Sequence, residues 1–349
     1  MVSLRAAALC AASMVLFWCA PALAEKKRIR IALQLPITNH LGVNLSRFKE
    51  KVEASTNGAF EFEIIDRARA FKDNEVWQAV SRGDIEMGTV SATQFVDLVP
   101  AVDVYQQPFL FNFDALTRAA TAPGHPIRAL IEKAILNATG VRPLWWQYYG
   151  SAVLFSNKRA TLLPRDIRDQ SVRTYGKTAA DFIRHCGGKP KVIRASEQNQ
   201  AMKTGVVDIV MTGVAGVKSR SLWEVSDTIT RTQHGAIEFI VVINERLWQS
   251  FSKEHRELMT KAAAEVDKEL WDKISEIEAN AYKFAREKGL RIVELNMRQL
   301  AEWRACSAPM TEAFMSMTGQ LGREMMAEYG KLLAHPCCNK PPGGSFIQY

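Results

Sequence analysis

The chain has 349 residues, a formal net charge of +8 at pH 7 and 47% hydrophobic residues. This length is enough for two domains with hydrophobic cores of ordinary size. Basic residues are spread along the chain without a recognised nucleic-acid-binding motif, so we interpret them as a solvated surface and expect no nucleic-acid partner. The basic runs lie at 26–30, 165–173, 189–194 and 218–220.

Residues 1–24 predict a cleaved signal peptide and therefore an exported, periplasmic protein. A positive charge precedes an apolar run over 6–20, and Ala-Leu-Ala at 22–24 is a small-x-small cleavage site. An uncleaved anchor is one alternative, but the apolar run is shorter than the roughly 20 residues that span a membrane. A lipoprotein processed at Cys19 is another, against which the bulky Trp18 argues. No later apolar stretch is long enough to span, which favours a soluble mature protein.

Four cysteines follow the predicted cleavage site, and an oxidising compartment would allow them to form disulfides. We expect Cys306 to pair with Cys337 or Cys338, which would fasten the C-terminal tail, and Cys186 to be a buried free thiol. The chain has no Cys-x-x-Cys and no paired histidine spacing, so we expect neither a metal site nor a cofactor.

Strands and helices alternate in the first part of the chain, which predicts an α/β fold with a parallel, doubly wound sheet. The same order recurs after residue 150. The segments 79–87 and 201–209 match in detail, because each has a helix end, a glycine and then a strand with an acidic residue. The predicted strands are 28–35, 60–65, 85–90, 153–156, 171–174, 191–193 and 207–211, and the predicted helices are 45–55, 74–81, 178–186 and 197–204.

This repetition predicts two similar lobes. Ligands of such sheets lie beyond the carboxyl ends of the strands, which directs attention to 91–94 in the first lobe and 212–213 in the second. A third part, 253–289, has apolar residues at helical spacing and would be a helix roughly 55 Å long. Such a helix must run along both lobes or break. A coiled coil is the competing interpretation, although the spacing is not a clean heptad.

Four motifs carry a family resemblance. They are Asn157 followed by Pro164-x-Asp166 and Val172-Arg173, Pro100 followed by Pro108-Phe-Leu-Phe111, Gly205-Val-Val-Asp208, and Asn244-Glu-Arg-Leu-Trp248. In this order the chain resembles the substrate-binding proteins of TRAP-type transporters, the DctP family. The resemblance implies a two-lobed periplasmic binding-protein fold with a long helix that spans both lobes. It also implies a receptor that binds a small organic acid and delivers it to the TRAP permease membrane subunits.

With this resemblance, we expect lobe one to comprise 25–149 plus about 239–278, and lobe two 150–238 plus about 279–345.

Arg173 is the first candidate ligand-binding residue, since the resemblance implies that it holds the ligand's carboxylate. It stands between apolar and aromatic neighbours on a short strand, where an unpaired buried charge is costly. Arginine suits a carboxylate because its planar fork donates two parallel hydrogen bonds. A structural salt bridge with Asp166 or Asp169 is the alternative.

The chain departs from relatives that bind sialic acid. Ala152 and Gln94 stand where those relatives carry arginines, and Thr212 replaces a usual asparagine. With fewer charges and with aromatic residues nearby, we expect a small monocarboxylate with an apolar or aromatic body. The aromatic candidates are Phe71, Trp146, Tyr149 and Tyr175, and the predicted ligand-binding residues are Arg173, Gln94, Thr212, Tyr149, Tyr175, Ser91 and Asn39.

Catalysis finds little support in the sequence. The six histidines are scattered, and no nucleophile elbow, P-loop or dinucleotide fingerprint is present. We therefore predict a receptor and no enzyme. An exported enzyme or a ligand-sensing subunit on the same scaffold remains the alternative, because fold does not dictate function.

Overall fold

The structure is a computed structural model that describes residues 26–157, 159–336 and 338. The predicted signal peptide and Cys337 lie outside these residues. The strands are β1 Lys27–Ala32, β2 Phe60–Ile65, β3 Met87–Ser91, β4 Val141–Ser156, β5 Ser171–Thr174, β6 Lys189–Val192, β7 Ile209–Gly213, β8 Thr228–Arg231, β9 Ala236–Asn244 and β10 Arg291–Glu294. The helices are α1 His40–Ser55, α2 Val76–Arg82, α3 Asp114–Ala120, α4 Pro126–Thr139, α5 Lys177–His185, α6 Gln198–Lys203, α7 Gly216–Ser219, α8 Glu245–Gln249, α9 Lys253–Glu287, α10 Met297–Ser307 and α11 Pro309–Ala334.

The strands form one sheet in the order β2-β1-β3-β9-β4-β7-β5-β6, with β8 beside β4 and β10 beside β8. Strand β1 pairs parallel with β2 and β3, and β5 pairs parallel with β6 and β7. Strand β9 runs antiparallel to β3 and β4. The two-lobed α/β prediction is therefore confirmed, but the sheet is mixed and not purely parallel.

Strand β4 belongs to both lobes. Its residues 141–151 pair with β9 in lobe one, and 152–156 pair with β7 in lobe two. The sequence predicted only its last four residues as a strand. Both faces of β4 are buried from Trp145 onward, so the polar–apolar alternation that marks a half-exposed strand is missing.

The predicted long helix is confirmed with nearly its predicted bounds. Ser252 caps α9 by accepting a hydrogen bond from the His255 N–H, and Gly289 follows its end with φ of 86°. Helix α9 contacts α1 in lobe one and α7 and β10 in lobe two. It therefore braces both lobes, as the resemblance implied.

Two glycines close the matching helices of the two lobes. Gly83 follows α2 with φ of 85°, and Gly205 follows α6 with φ of 71°. This left-handed conformation costs glycine little, and it lets the chain turn from helix to strand within a few residues.

Helix α11 packs against α3 and α4 of lobe one, and its Phe314 and Tyr329 join the lobe-one core. This differs from the prediction that 279–345 belong to lobe two. Helical periodicity identifies the apolar face of a helix but does not say which lobe that face covers.

A disulfide joins Cys186 at the end of α5 to Cys306 in α10, with the two Cα atoms 5.1 Å apart. The expected pairing of Cys306 with Cys337 or Cys338 is therefore wrong, and Cys186 is not a free thiol. Helix α10 packs against α5 and brings the two cysteines within bonding distance. A contact between residues 120 positions apart leaves no local signal in the sequence.

Candidate functional site

A cavity of about 260 Å³ lies between the lobes. It opens at the carboxyl ends of β3 and β7, where the topology predicted a site. Its lining residues are Leu35, Asp73, Asn74, Ser91, Gln94, Tyr149, Arg173, Tyr175, Val192, Ile193, Arg194, Ala195, Gln198, Thr212, Ile237 and Phe239.

Arg173 on β5 lies in the wall of this cavity and is only 2% exposed. Its Nε donates to the Ile193 carbonyl at 2.8 Å and its Nη1 to the Met211 carbonyl at 2.9 Å. Burial lowers the pKa of Arg173 to about 10, while nearby Asp73 opposes the shift. The guanidinium therefore remains charged at neutral pH.

Neither acidic neighbour in the sequence neutralises Arg173. Asp166 accepts hydrogen bonds from the Leu162 and Leu163 N–H groups, and Asp169 pairs with Lys189 at 3.1 Å. Over the ranges that the structure describes, Arg173 has no carboxylate within ion-pairing distance. The structure therefore contains no salt bridge between Arg173 and Asp166 or Asp169.

A second arginine, Arg220, stands near this site at the end of α7. Its Nη2 donates to the Gln34 carbonyl at 3.0 Å, and its buried Nε has no hydrogen-bond partner. Burial lowers the pKa of Arg220, and its charge also contributes to lowering the pKa of Arg173. Sequence reasoning missed it because it ends a basic run that we had assigned to the solvated surface.

Two tyrosines flank Arg173. Burial raises the pKa of Tyr149, while nearby Ser219 and the charge of Arg220 act to lower it. The Tyr175 hydroxyl donates to Gln106 Oε1 at 2.9 Å. The Tyr175 ring centroid lies 6.0 Å from Arg173 Cζ. Burial raises the pKa of Tyr175 as well, so both phenols stay neutral.

The structure brings six of the seven predicted residues to one cavity, namely Arg173, Gln94, Thr212, Tyr149, Tyr175 and Ser91. Asn39 lies elsewhere. Its Oδ1 accepts from the Leu41 N–H at 3.0 Å and caps α1, which is a structural role. Of the other aromatic candidates, Trp146 is fully buried in the lobe-one core and Phe71 packs against that core.

Two further cavity residues escaped sequence reasoning. Asp73 Oδ2 accepts from the Ala195 N–H at 3.2 Å, while Asp73 Oδ1 is buried without a partner. Gln198 Oε1 is also buried without a partner. In the sequence, Asp73 only marked the start of a helix and Gln198 only lay within one. The described residues contain no cluster of three or more His, Cys, Asp or Glu side chains that could hold a metal ion.

The lobes touch each other around the cavity. Thr93 of lobe one donates its hydroxyl to the Tyr175 carbonyl at 3.2 Å. A Cβ at Gly176 would lie 2.8 Å from the Thr93 Cβ, so only glycine permits this approach. Thr178 donates its hydroxyl to Asp103 across the same boundary. The structure is therefore a closed form of the two lobes.

The protein has two α/β lobes that share a sheet, a helix that braces both, and a cavity between the lobes with a charged arginine. These features define a solute-binding protein of the periplasmic type. A family model described as bacterial extracellular solute-binding protein, family 7 (DctP), matches residues 34–317. The chain belongs to this family. It is thus an extracytoplasmic solute receptor of the TRAP type. No helix among the described residues has the length and apolar character needed to cross a membrane.

Individual relatives agree with this assignment. The C4-dicarboxylate-binding periplasmic protein DctP of Rhodobacter capsulatus is 26% identical over 311 residues, which cover 88% of this chain and 91% of that protein. The sialic acid-binding periplasmic protein SiaP of Vibrio cholerae is 21% identical over 274 residues, which cover 78% of this chain and 83% of that protein.

Solved structures share the fold. A Bordetella pertussis receptor, DctP7, described as binding pyroglutamic acid, aligns with a TM-score of 0.81 at 21% identity and covers 87% of this chain and 99% of its own. A TRAP solute-binding protein from Sulfurospirillum deleyianum with bound succinate aligns with a TM-score of 0.77 at 23% identity and covers 86% and 99%. At these identities the likeness establishes the fold alone.

Proposed function

We propose that this receptor captures a small monocarboxylate in the cavity between its lobes and delivers it to the membrane subunits of a TRAP transporter. One observation carries the proposal. Arg173 is buried, charged at neutral pH and lines the cavity, yet no carboxylate of the described residues lies within ion-pairing distance of it. A buried charge of this kind needs an anionic partner.

The backbone carbonyls of Ile193 and Met211 fix the plane of the Arg173 guanidinium. Nη2 has no hydrogen-bond partner among the described residues. Nη2 and the second hydrogen of Nη1 can therefore donate hydrogen bonds to a ligand. Such a preorganised fork matches a carboxylate, because little side-chain freedom is lost when the ion pair forms.

The cavity limits the size and polarity of the ligand. A cavity of about 260 Å³ has room for a small organic acid but not for a large ligand. Its apolar walls fit a hydrophobic or aromatic body, and they are formed by Leu35, Val192, Ile193, Ile237 and Phe239. The ligands named for similar proteins, among them pyroglutamate and succinate, also carry carboxylates.

Closure would couple binding to delivery. The contacts of Thr93 with Tyr175 and of Arg220 with Gln34 cross between the lobes. A ligand that touches both lobes shifts the equilibrium toward the form in which these contacts exist. We place the protein in the periplasm after removal of residues 1–24, which N-terminal sequencing of the exported protein would test.

The test begins with native mass spectrometry of the purified protein, to identify a co-purified acid. Calorimetry then compares the wild type with Arg173→Ala. Loss of one partner of a desolvated pair costs about 2–5 kcal/mol, so we expect binding to weaken roughly a hundredfold or more. Arg168→Ala is the matched control, because Arg168 is an exposed arginine close in sequence. A loss below about tenfold in Arg173→Ala would refute the role of Arg173.

A further inference from the structure

Two residues that line the cavity each carry a buried hydrogen-bond acceptor without a donor. Asp73 Oδ1, from lobe one, and Gln198 Oε1, from lobe two, are buried and have no partner, and both residues line the cavity. Buried acceptors in native proteins are almost always paired. Asp73 forms no ion pair with Arg173 in the described structure, and the apolar wall residues have no side-chain donors to offer.

The charged groups near the cavity include more positive than negative side chains. Arg173 and Arg220 are positive, Asp73 is negative, and each arginine interacts electrostatically with Asp73. Arg194 also lines the cavity, but it pairs with Glu197 at 3.0 Å. The group therefore carries one net positive charge, which one carboxylate neutralises. A second carboxylate on the ligand would add a negative charge next to Asp73.

We infer that Asp73 is a specificity-determining residue that selects monocarboxylates with an O–H or N–H donor on the ligand body. In this arrangement the ligand carboxylate faces Arg173, and its donor faces the free oxygen of Asp73, with Gln198 as a second acceptor. An acid without a donor leaves these acceptors unpaired, and a dicarboxylate is repelled by Asp73. This inference rests on the proposed function, because it assumes that an acid occupies the cavity.

The environment of Asp73 makes the substitution Asp73→Asn informative. The bond from the Ala195 N–H to Asp73 Oδ2 crosses between the lobes, and an asparagine oxygen can still accept it. The asparagine NH₂ group then takes the position of the free oxygen. The variant therefore keeps the contact between the lobes, removes the negative charge and changes the free acceptor into a donor.

The experiment uses pairs of acids that differ in a donor: mandelate with phenylacetate, lactate with propionate, and pyroglutamate with cyclopentanecarboxylate. Succinate serves as the dicarboxylate. Calorimetry measures the affinity of the mature wild type, Asp73→Asn and Asp169→Asn for each probe. Asp169→Asn is the matched control, because its side chain is 75% exposed and pairs only with the exposed Lys189. Thermal melting confirms that each variant is folded.

In the wild type and in Asp169→Asn, we expect the donor-bearing acid of at least one pair to bind at least about tenfold more tightly than its partner. In Asp73→Asn we expect this ratio to fall below about threefold and succinate to bind more tightly than in the wild type.

Two results would overturn the inference. Equal binding within every pair, or an unchanged ratio in Asp73→Asn, refutes the role of Asp73 while an acid receptor stands. If the wild type binds none of these acids, the proposed function itself fails and the inference fails with it.

Discussion

Two buried arginines, Arg128 in the lobe-one core and Arg173 in the cavity, have opposite surroundings. They are 4% and 2% exposed. Arg128 donates to Glu132 at 2.7 Å, to Asp267 at 2.6 Å and to the Thr121 carbonyl at 2.7 Å. Arg173 bonds only to carbonyl oxygens among the described residues.

The pKa shifts of the two arginines differ in sign for the same reason. Burial acts to lower the pKa of Arg128, but Asp267 and Glu132 outweigh burial, so its pKa is raised. At Arg173 the opposing effect of Asp73 is smaller than the effect of burial, so its pKa is lowered. An arginine that carries its own counterions is part of the structure. An anionic ligand gains the most binding free energy from an arginine that faces a cavity and has no counterion.

The largest expected effect comes from Arg128→Ala. Removing one partner of a buried ion pair typically costs about 3–5 kcal/mol, because Asp267 is left unpaired. We expect urea denaturation to show this loss, with ligand affinity nearly unchanged in the folded protein. Arg118→Ala is the control, since the exposed Arg118–Asp272 pair contributes about 0–1 kcal/mol. If both variants lose equally little stability, the buried ion pairs of Arg128 do not stabilise the lobe-one core.

The second prediction concerns how much the Cys186–Cys306 disulfide stabilises lobe two, the lobe that carries Arg173. Replacing both cysteines with alanine removes a crosslink between residues 120 positions apart, which should cost about 2–4 kcal/mol. The cavity does not contain either cysteine, so we expect ligand affinity to change little. Denaturation with and without a reductant measures the loss. A wild type that melts identically under both conditions would contradict the crosslink.

The smallest expected effect concerns Asp103, the acidic counterpart of Arg173. This carboxyl is fully buried, its Oδ1 has no partner, and burial raises its pKa to about 7. The folded protein therefore holds a proton that the unfolded chain releases, so stability falls as pH rises from about 4 to about 7. Glu278, whose pKa burial also raises to about 7, acts in the same direction.

Asp103→Asn keeps the contact with Thr178 but cannot titrate. Its melting temperature should fall less than that of the wild type between about pH 5 and about pH 8, with a difference of a few degrees. Asp84→Asn, at an exposed position, should follow the wild type. Parallel curves for wild type and Asp103→Asn would show that Asp103 does not hold this proton.

Local patterns predicted much of this molecule. The long helix, the closing glycines and the strand that carries Arg173 all follow from periodicity, turn chemistry and residue type. The errors arose where distant segments meet. The antiparallel pairing of β4 with β9, the cover that α11 gives to lobe one and the Cys186–Cys306 bond depend on tertiary contacts.

The same limit applies to the cavity. Arg220 and Asp73 each resemble ordinary surface residues in the sequence, and only closure of the lobes brings them beside Arg173. Asn39 shows a different limit, because a polar residue after a strand can also serve as a helix cap, and its role in ligand binding stays a prediction.

The passage of β4 through both lobes has a mechanical consequence. Its pairing with β9 shifts register between Tyr148 and Gly150, and Gly150 has φ of 121°. A Cβ there would lie 2.6 Å from Glu278 Oε1 of α9. The connection between the halves is thus a bent ribbon held against a helix. A side chain at position 150 would therefore push the strand that connects the lobes away from the helix that braces them.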